Sequence, residues 1–214
     1  MTQKKKPVLM AALGLAVAGL GALAILNTQP QPAEAAPTVG QAAPAFSVQD
    51  SSGKTRTLDE FKGKYVVLEW LNYGCPFVKK YYNSGAMQKL QADATKDGVV
   101  WLSVISSAPG KQGHSTGTEA DENSKAHKAL PTAVLLDEDG TMGKAYNAKT
   151  TPHMFVINPD GNLIYNGAID DKPTTDLADI PTAHNYVLAA LEQAKKGEAV
   201  TTPTSKPYGC SVKY

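Results

Sequence analysis

Residues 65–71 form an almost unbroken apolar run that ends at Asn72-Tyr73-Gly74, presents Cys75, and passes at Pro76 into a sequence with helical character. Such a run is buried on both faces, as in the central strand of a sheet covered by helices. Pro76 suits the first helical turn, where its missing N–H costs nothing. Cys75 is therefore expected at a helix N-terminus, where the dipole and free N–H groups favour thiolate and draw the pKa below its usual ~8.5. Lys79 and Lys80 add positive charge one turn on. The alternative is a packed structural cysteine. Glu69 lies six positions before Cys75, inside the apolar run, where a charge is costly without a task or a partner. Burial would raise its pKa toward the range a general base needs. The other reading turns Glu69 to a solvated rim or a lysine.

Residues 1–35 read as an export segment. Lys4, Lys5 and Lys6 are a basic start, residues 8–26 are apolar, and Ala33-Glu34-Ala35 offers a cleavage signal. The apolar run exceeds the ~7–15 residues of a usual signal peptide, so an uncleaved anchor stays open. Either form exports the remainder by a Sec-type route to the periplasm or beyond, with the lysines left inside. Losing three lysines and Glu34 moves the formal net charge from +1 to −1. A near-neutral remainder with no basic stripe speaks against nucleic-acid binding, and its size fits one domain with a real core.

Residues 36–44 read as a linker, 45–196 as the folded domain and 197–214 as a tail. Residues 45–49 and 55–57 are expected as a hairpin about Asp50-Ser51-Ser52-Gly53. After Cys75 the helix should break at Asn83-Ser84-Gly85, resume, and stop at Asp97-Gly98. Strands are expected at 99–105, 132–136, 154–157 and 163–166. Thr118 with Asp121 resembles a capping box opening a helix to about Leu130. A short helix is expected around 142–146, and a final one led by Ile180-Pro181 to about Lys196. The alternation specifies an α/β sheet with helices on both faces.

The strand ending in an aromatic turn, Cys75-Pro76 at a helix start, the element order and the late hairpin resemble the thioredoxin superfamily. They are most similar to its peroxiredoxin-like, single-cysteine redoxin branch, related to the alkyl hydroperoxide reductase and thiol-specific antioxidant proteins. The fold this implies is thioredoxin-like: a central mixed sheet, helices on both faces and an N-terminal β-hairpin extension. Where thioredoxins have C-x-x-C, this chain has Cys75-Pro76-Phe77-Val78, so no disulfide forms within the motif. The resemblance implies that Glu69 matches a buried acid moving protons in thiol exchange, and that Thr151-Pro152 is a cis-proline edge whose backbone receives an extended substrate. The resemblance further implies that Tyr73 and Pro76 take part in substrate binding beside it.

Only one other cysteine exists, Cys210, in Pro207-Tyr208-Gly209-Cys210. An exported pair may join; Cys210 is the candidate resolving cysteine, with a static bridge to Cys75 or pairing with another chain as alternatives. The peroxiredoxin pattern P-x-x-x-[ST]-x-x-C is not kept, since Leu68 and Asn72 stand at its proline and hydroxyl positions. Arg56, in the hairpin, is the only arginine. Three functions follow: a thiol–disulfide oxidoreductase acting on protein thiols, a thiol-dependent peroxidase-like antioxidant, or a non-catalytic module binding copper or a partner, with His153 the histidine nearest Cys75. Tyr73, Phe77, Tyr81 and Tyr82 are expected to pack around the cysteine, and Asp170-Asp171 to be a solvated turn. No cofactor is called for, and no metal-ligand spacing is present.

Overall fold

The computed structural model describes residues 1–2 and 36–214. The expected signal or anchor therefore lies, but for two residues, outside the described residues. The chain divides into two units, Met1–Ala33 and Glu34–Tyr214; the fold below is that of the second. Among the described residues no helix is long and apolar enough to cross a membrane.

The N-terminal hairpin pairs β1 (Ser47–Gln49) antiparallel with β2 (Thr55–Thr57). Its turn is tied by Asp50, which accepts the Ser52 and Lys54 N–H groups and the Arg56 Nε–H at 2.8 Å. Burial pushes the Asp50 carboxyl up, but these bonds outweigh it and hold the pKa at about 2.

Five strands build the main sheet: β3 (Val66–Trp70), β4 (Val100–Ile105), β5 (Ala133–Leu136), β7 (His153–Ile157) and β8 (Leu163–Gly167). A two-residue strand, β6 (Thr150–Thr151), precedes β7. The order is β5-β4-β3-β7-β8, with β3, β4 and β5 parallel and β7 and β8 antiparallel. Every residue of β3 is buried, as a two-faced central strand requires. Val66, Leu68 and Trp70 face one core with Phe46, Phe61, Tyr146 and Phe155, roofed by the short α4 (Thr141–Ala145). The pleat sends Val67 and Glu69 the other way, toward the core under α1 (Pro76–Asn83), α2 (Ala86–Lys96) and α5 (Tyr186–Lys195). Cys75 belongs to that second core. The thioredoxin-like architecture, mixed sheet and hairpin extension are as the sequence led us to expect.

Several boundaries differ. The stretch 36–44, expected as a linker, is docked: the Gly40 and Ala43 N–H groups donate to the Leu163 and Gly161 carbonyls, and the Leu163 N–H to the Gln41 carbonyl. The capping box of α3 (Gly117–Ala126) uses Thr116 and Glu119, not Thr118 and Asp121. Both pairs fit the spacing, but Glu119 reaches back to the Thr116 N–H at 2.8 Å. That helix ends at Ala126, short of Leu130. Ile180-Pro181 lie in a separate 3-10 turn, and α5 starts later because the Asn185 side chain accepts the Leu188 N–H at 2.9 Å. Residues 197–214, expected as a tail, are docked on the domain. The stretch runs beside β8, where Asn166 N–H donates to the Pro203 carbonyl and Ser205 N–H to the Asn166 carbonyl. It then forms β9 (Cys210–Ser211), antiparallel to β6.

His153 opens β7 and is buried. Its Nδ1 accepts the Lys149 N–H at 3.2 Å, so the proton sits on Nε2, which donates to Asn166 Oδ1 at 2.9 Å. Burial lowers its pKa from 6.5 to about 4, against the Asn166 bond and with help from the Lys149 charge. As pH falls from 6.5 toward 4, the unfolded chain takes up this proton before the folded one, so stability is lost across that window. The loss should reach about 3 kcal/mol at most. Denaturant midpoints measured over this window should fall in the native sequence and fall less steeply in His153→Gln. Equal slopes would contradict the assignment.

Candidate functional site

Cys75 is the N-cap of α1, in extended backbone, with Pro76 at the first helical position. The loop before it is set by Asn72, whose Oδ1 accepts the Gly74 N–H at 2.8 Å while its Nδ2 donates to the Gln112 carbonyl at 3.3 Å. Gly113 lies so close to the Asn72 side chain that a Cβ would overlap it. The cysteine sulfur is thereby delivered to the edge formed by β6, immediately before the cis Thr151–Pro152 peptide bond. As a thiol, Cys75 donates to the Thr151 carbonyl at 3.0 Å.

Cys210 approaches from the other side. In the β6–β9 pair Cys210 stands opposite Thr151, and its N–H donates to the Cys75 sulfur at 3.4 Å. Burial pushes the Cys75 thiol up, yet the Cys210 thiol and N–H and the Val78 N–H at the helix start outweigh it and lower the pKa. Cys210 moves the opposite way, to about 11, through burial and through its hydrogen bond and charge repulsion with Cys75. The two thiols are thus unequal: Cys75 ionises first, with Cys210 as its proton-bearing neighbour.

The lysines of α1 are not among the groups that chiefly lower the Cys75 pKa. Lys79 is exposed, and Lys80 is buried with Nζ donating to the Lys172 carbonyl at 2.9 Å above the Tyr81 ring. A lysine stem can cross apolar surface to find such an acceptor, so the charge is drawn away from the cysteine.

Glu69 is fully buried, and the solvated-rim reading is overturned. One oxygen accepts the Tyr82 hydroxyl at 3.0 Å; the other accepts Trp101 Nε1 at 2.8 Å, Ser103 Oγ at 3.1 Å and Gln91 Nε2 at 3.1 Å. Burial raises its pKa against all four donors. Its hydrogen-bonding partners are these four groups; Cys75 is not one of them.

Tyr73 stacks on His127 with ring centroids 4.1 Å apart and meets Tyr82 edge-on at 5.0 Å. Tyr81 and Tyr82 are buried in the core that holds Cys75, with Tyr73 and Phe77 packed against it. Pro76 is exposed at the mouth. Cys75, Cys210, Thr151 and Pro152 therefore converge, Tyr73 and Pro76 border them, and Glu69 lies in the floor. His153 is not poised as a ligand, since both ring nitrogens are engaged as described above. Among the described residues no three His, Cys, Asp or Glu side chains cluster in a way that could hold a metal ion. Arg56 is committed to Asp50 and Glu60 in the hairpin.

Asp170 corrects the expectation of a solvated turn. It is 2% exposed and its carboxylate accepts the hydroxyls of Tyr81 and Tyr208, which are themselves 2.9 Å apart. The sequence held no signal for this cluster beyond the two tyrosines, because its members are 89 and 38 positions from Asp170.

Comparison with known proteins agrees with this architecture. The AhpC/TSA family matches residues 39–166, a span that includes Glu69, Cys75, Thr151 and Pro152 and stops before Cys210. Thiol-disulfide oxidoreductase ResA of Bacillus subtilis (strain 168) is 28% identical over 125 residues, 58% of this chain and 64% of that protein, so the match spans less than two thirds of the relative. A hypothetical protein from Sinorhizobium meliloti 1021 is 25% identical with a TM-score of 0.69, covering 84% of this chain and 96% of its own. An uncharacterized conserved protein from Geobacillus kaustophilus is 25% identical with a TM-score of 0.68, covering 83% and 92%.

The asymmetry of the two thiols is testable. Ultraviolet thiolate absorbance of the reduced protein should show Cys75 ionising below the ~8.5 of a free cysteine. In Cys210→Ala the midpoint should rise, because the side-chain donor is removed and the sulfur keeps its burial. A wild-type midpoint at or above that of a free thiol would contradict the reading.

Proposed function

The chain belongs to the AhpC/TSA family, and we propose that within it this protein is an exported thiol–disulfide oxidoreductase that uses Cys75 as nucleophile and Cys210 as resolving thiol. The observation that carries this reading is the approach of Cys210 to the Cys75 sulfur at the Thr151 edge. The name of its Bacillus subtilis relative is consistent with exchange chemistry, and the basic, apolar and Ala33-Glu34-Ala35 stretches support export.

The chemistry follows from the two ionisation states. The Cys75 thiolate attacks a sulfur of a partner's disulfide; a Cys75–partner bond forms, the partner's S–S bond breaks, and its second sulfur leaves as a thiolate that takes up a proton. Consuming the Cys75 charge removes one cause of the raised Cys210 pKa, so Cys210 becomes easier to deprotonate once it is needed. Its thiolate then attacks the Cys75 sulfur, the mixed disulfide breaks, and the partner departs as a dithiol. The partner gains two electrons, the Cys75–Cys210 pair loses two, and an external dithiol restores it; the reverse sequence oxidises.

Glu69 is a positioning residue in this scheme. It acts through Tyr82, whose hydroxyl it accepts, while burial raises its pKa and its donors keep it in place. A peroxidase reading has less support, because the chain's only arginine is held in the hairpin by Asp50 and Glu60.

Cys210→Ser should accumulate mixed disulfides between Cys75 and partner proteins, separable on non-reducing gels, while the native chain yields an intramolecular Cys75–Cys210 bridge by peptide mapping. Two free thiols in the native exported protein, or only intermolecular disulfides, would remove Cys210 from the mechanism. Glu69→Gln should shift the pH profile of disulfide exchange while the far-ultraviolet circular dichroism stays unchanged. An unmoved profile would leave Glu69 a structural acid alone.

A further inference from the structure

Cys75 is 0% exposed. Residues 208–210 lie across it: Cys210 on the sulfur, Gly209 on the Thr151 carbonyl, and Tyr208 beside Phe77 with ring centroids 5.7 Å apart. An outside disulfide reaches the sulfur only where these residues have moved aside. They occupy the Thr151 edge beside the Cys75 sulfur, where a partner that exchanges with Cys75 has to lie.

The occupant is held by specific features. Tyr208 gives its hydroxyl to Asp170, a buried carboxylate that also accepts the Tyr81 hydroxyl and the Lys172 N–H at 2.9 Å. Gly209 has φ +140°, and any Cβ there would overlap the Thr151 carbonyl oxygen, so only glycine lets the two backbones come this close. Cys210 then falls opposite Thr151, in antiparallel register. Each residue of Tyr208-Gly209-Cys210 is read by a different part of the site.

The segment is also tethered at both ends. Upstream, Ser205 Oγ accepts the Ala168 N–H at 2.9 Å and lies 2.6 Å from the Tyr165 hydroxyl. Downstream, Val212 N–H donates to the Lys149 carbonyl at 3.0 Å, Ala108 N–H to the Lys213 carbonyl at 2.8 Å, and the Tyr214 hydroxyl to the Ala148 carbonyl at 2.8 Å. Residues 206–211 thus form a short loop tied on both sides. The high effective concentration that the tethers maintain keeps Cys210 in reach of a mixed disulfide on Cys75.

We propose that Tyr208-Gly209-Cys210 is a resident copy of the protein segment this site accepts: a stretch with a tyrosine two positions before the reacting cysteine and a glycine bend between them. Asp170 and Tyr81 form the subsite for that tyrosine, and Thr151 sets the register. The inference rests on the exchange reading and adds the substrate class to it. The partner and the chain's own segment compete for one edge, and resolution is the return of the segment.

The test uses full-length Cys210→Ser, which has Cys75 as its only thiol, and two synthetic peptides. One matches residues 205–211; the other carries alanine in place of the tyrosine. Each has its cysteine joined to thionitrobenzoate in a mixed disulfide. Attack by the Cys75 thiolate at the peptide sulfur forms the Cys75–peptide bond and releases the coloured thionitrobenzoate anion. The tyrosine peptide should react about tenfold faster, the size of one hydrogen bond to a charged acceptor. The two rates should converge in Asp170→Ala carrying the same Cys210→Ser change. Equal rates in the protein that retains Asp170 would overturn the inference and leave the exchange reading standing. No reaction with either peptide, with Cys75 titrating as a free thiol after unfolding, would remove both. In an independent measurement, alkylation of Cys75 in the reduced protein should be faster in Tyr208→Ala than in the native sequence, since the cover is loosened; an unchanged rate would count against Tyr208 as its clasp.

Discussion

Cys210 meets the Cys75 sulfur across 135 positions of sequence because two unrelated stretches are fixed independently. On one side a central strand ends in a loop pinned by Asn72, and Pro76 starts a helix so that the cysteine becomes its cap. On the other, the C-terminal stretch is bonded at Ser205, Val212, Lys213 and Tyr214, so the entropy of closing so long a loop is offset by contacts that do not involve sulfur. The sulfur–sulfur approach is therefore a consequence of the fold in the reduced state and does not depend on a covalent bond to create it. A pair arranged in this way can cycle, because reduction does not dismantle the site.

Burial and reactivity pull in opposite directions at Cys75. Removing a thiolate from water disfavours it, and the site answers with donors from Cys210 and the helix start. Glu69 illustrates the same balance in the floor, where four donors surround a carboxylate whose pKa burial still raises. The result is a Cys75 thiol whose ionisation is favoured by Cys210, and a Cys210 thiol whose ionisation is disfavoured by Cys75. The ionisation of one thiol changes that of the other.

The sheet, the helices and the N-terminal hairpin were legible in the sequence because each rests on local signals. The apolar run of β3, the break at Ser84-Gly85 and the cap at Cys75-Pro76 depend on periodicity and turn chemistry within a few residues. The helix starts were harder. Thr116 and Thr118 both satisfy the capping pattern, and only tertiary surroundings decide between them. Cys210 could be singled out as a partner for Cys75 because there was no other cysteine. How it is held could not be read. Residues 197–214 dock through backbone pairs, serine and tyrosine hydroxyls and a glycine contact, none of which leaves a periodic trace. Asp170 resembled a solvated turn for the same reason: a buried carboxylate is recognisable only when its donors are seen, and here they come from α1 and from the C-terminal stretch.

The central claim, that Cys75 and Cys210 form one redox couple, is tested most directly by equilibrating the native protein in glutathione buffers of graded potential and counting the modified cysteines by mass spectrometry. The account predicts a single two-electron transition, about 30 mV per decade, in which both thiols disappear together into an intramolecular disulfide. Glutathione accumulating on Cys75 while Cys210 stays free across the titration would contradict it.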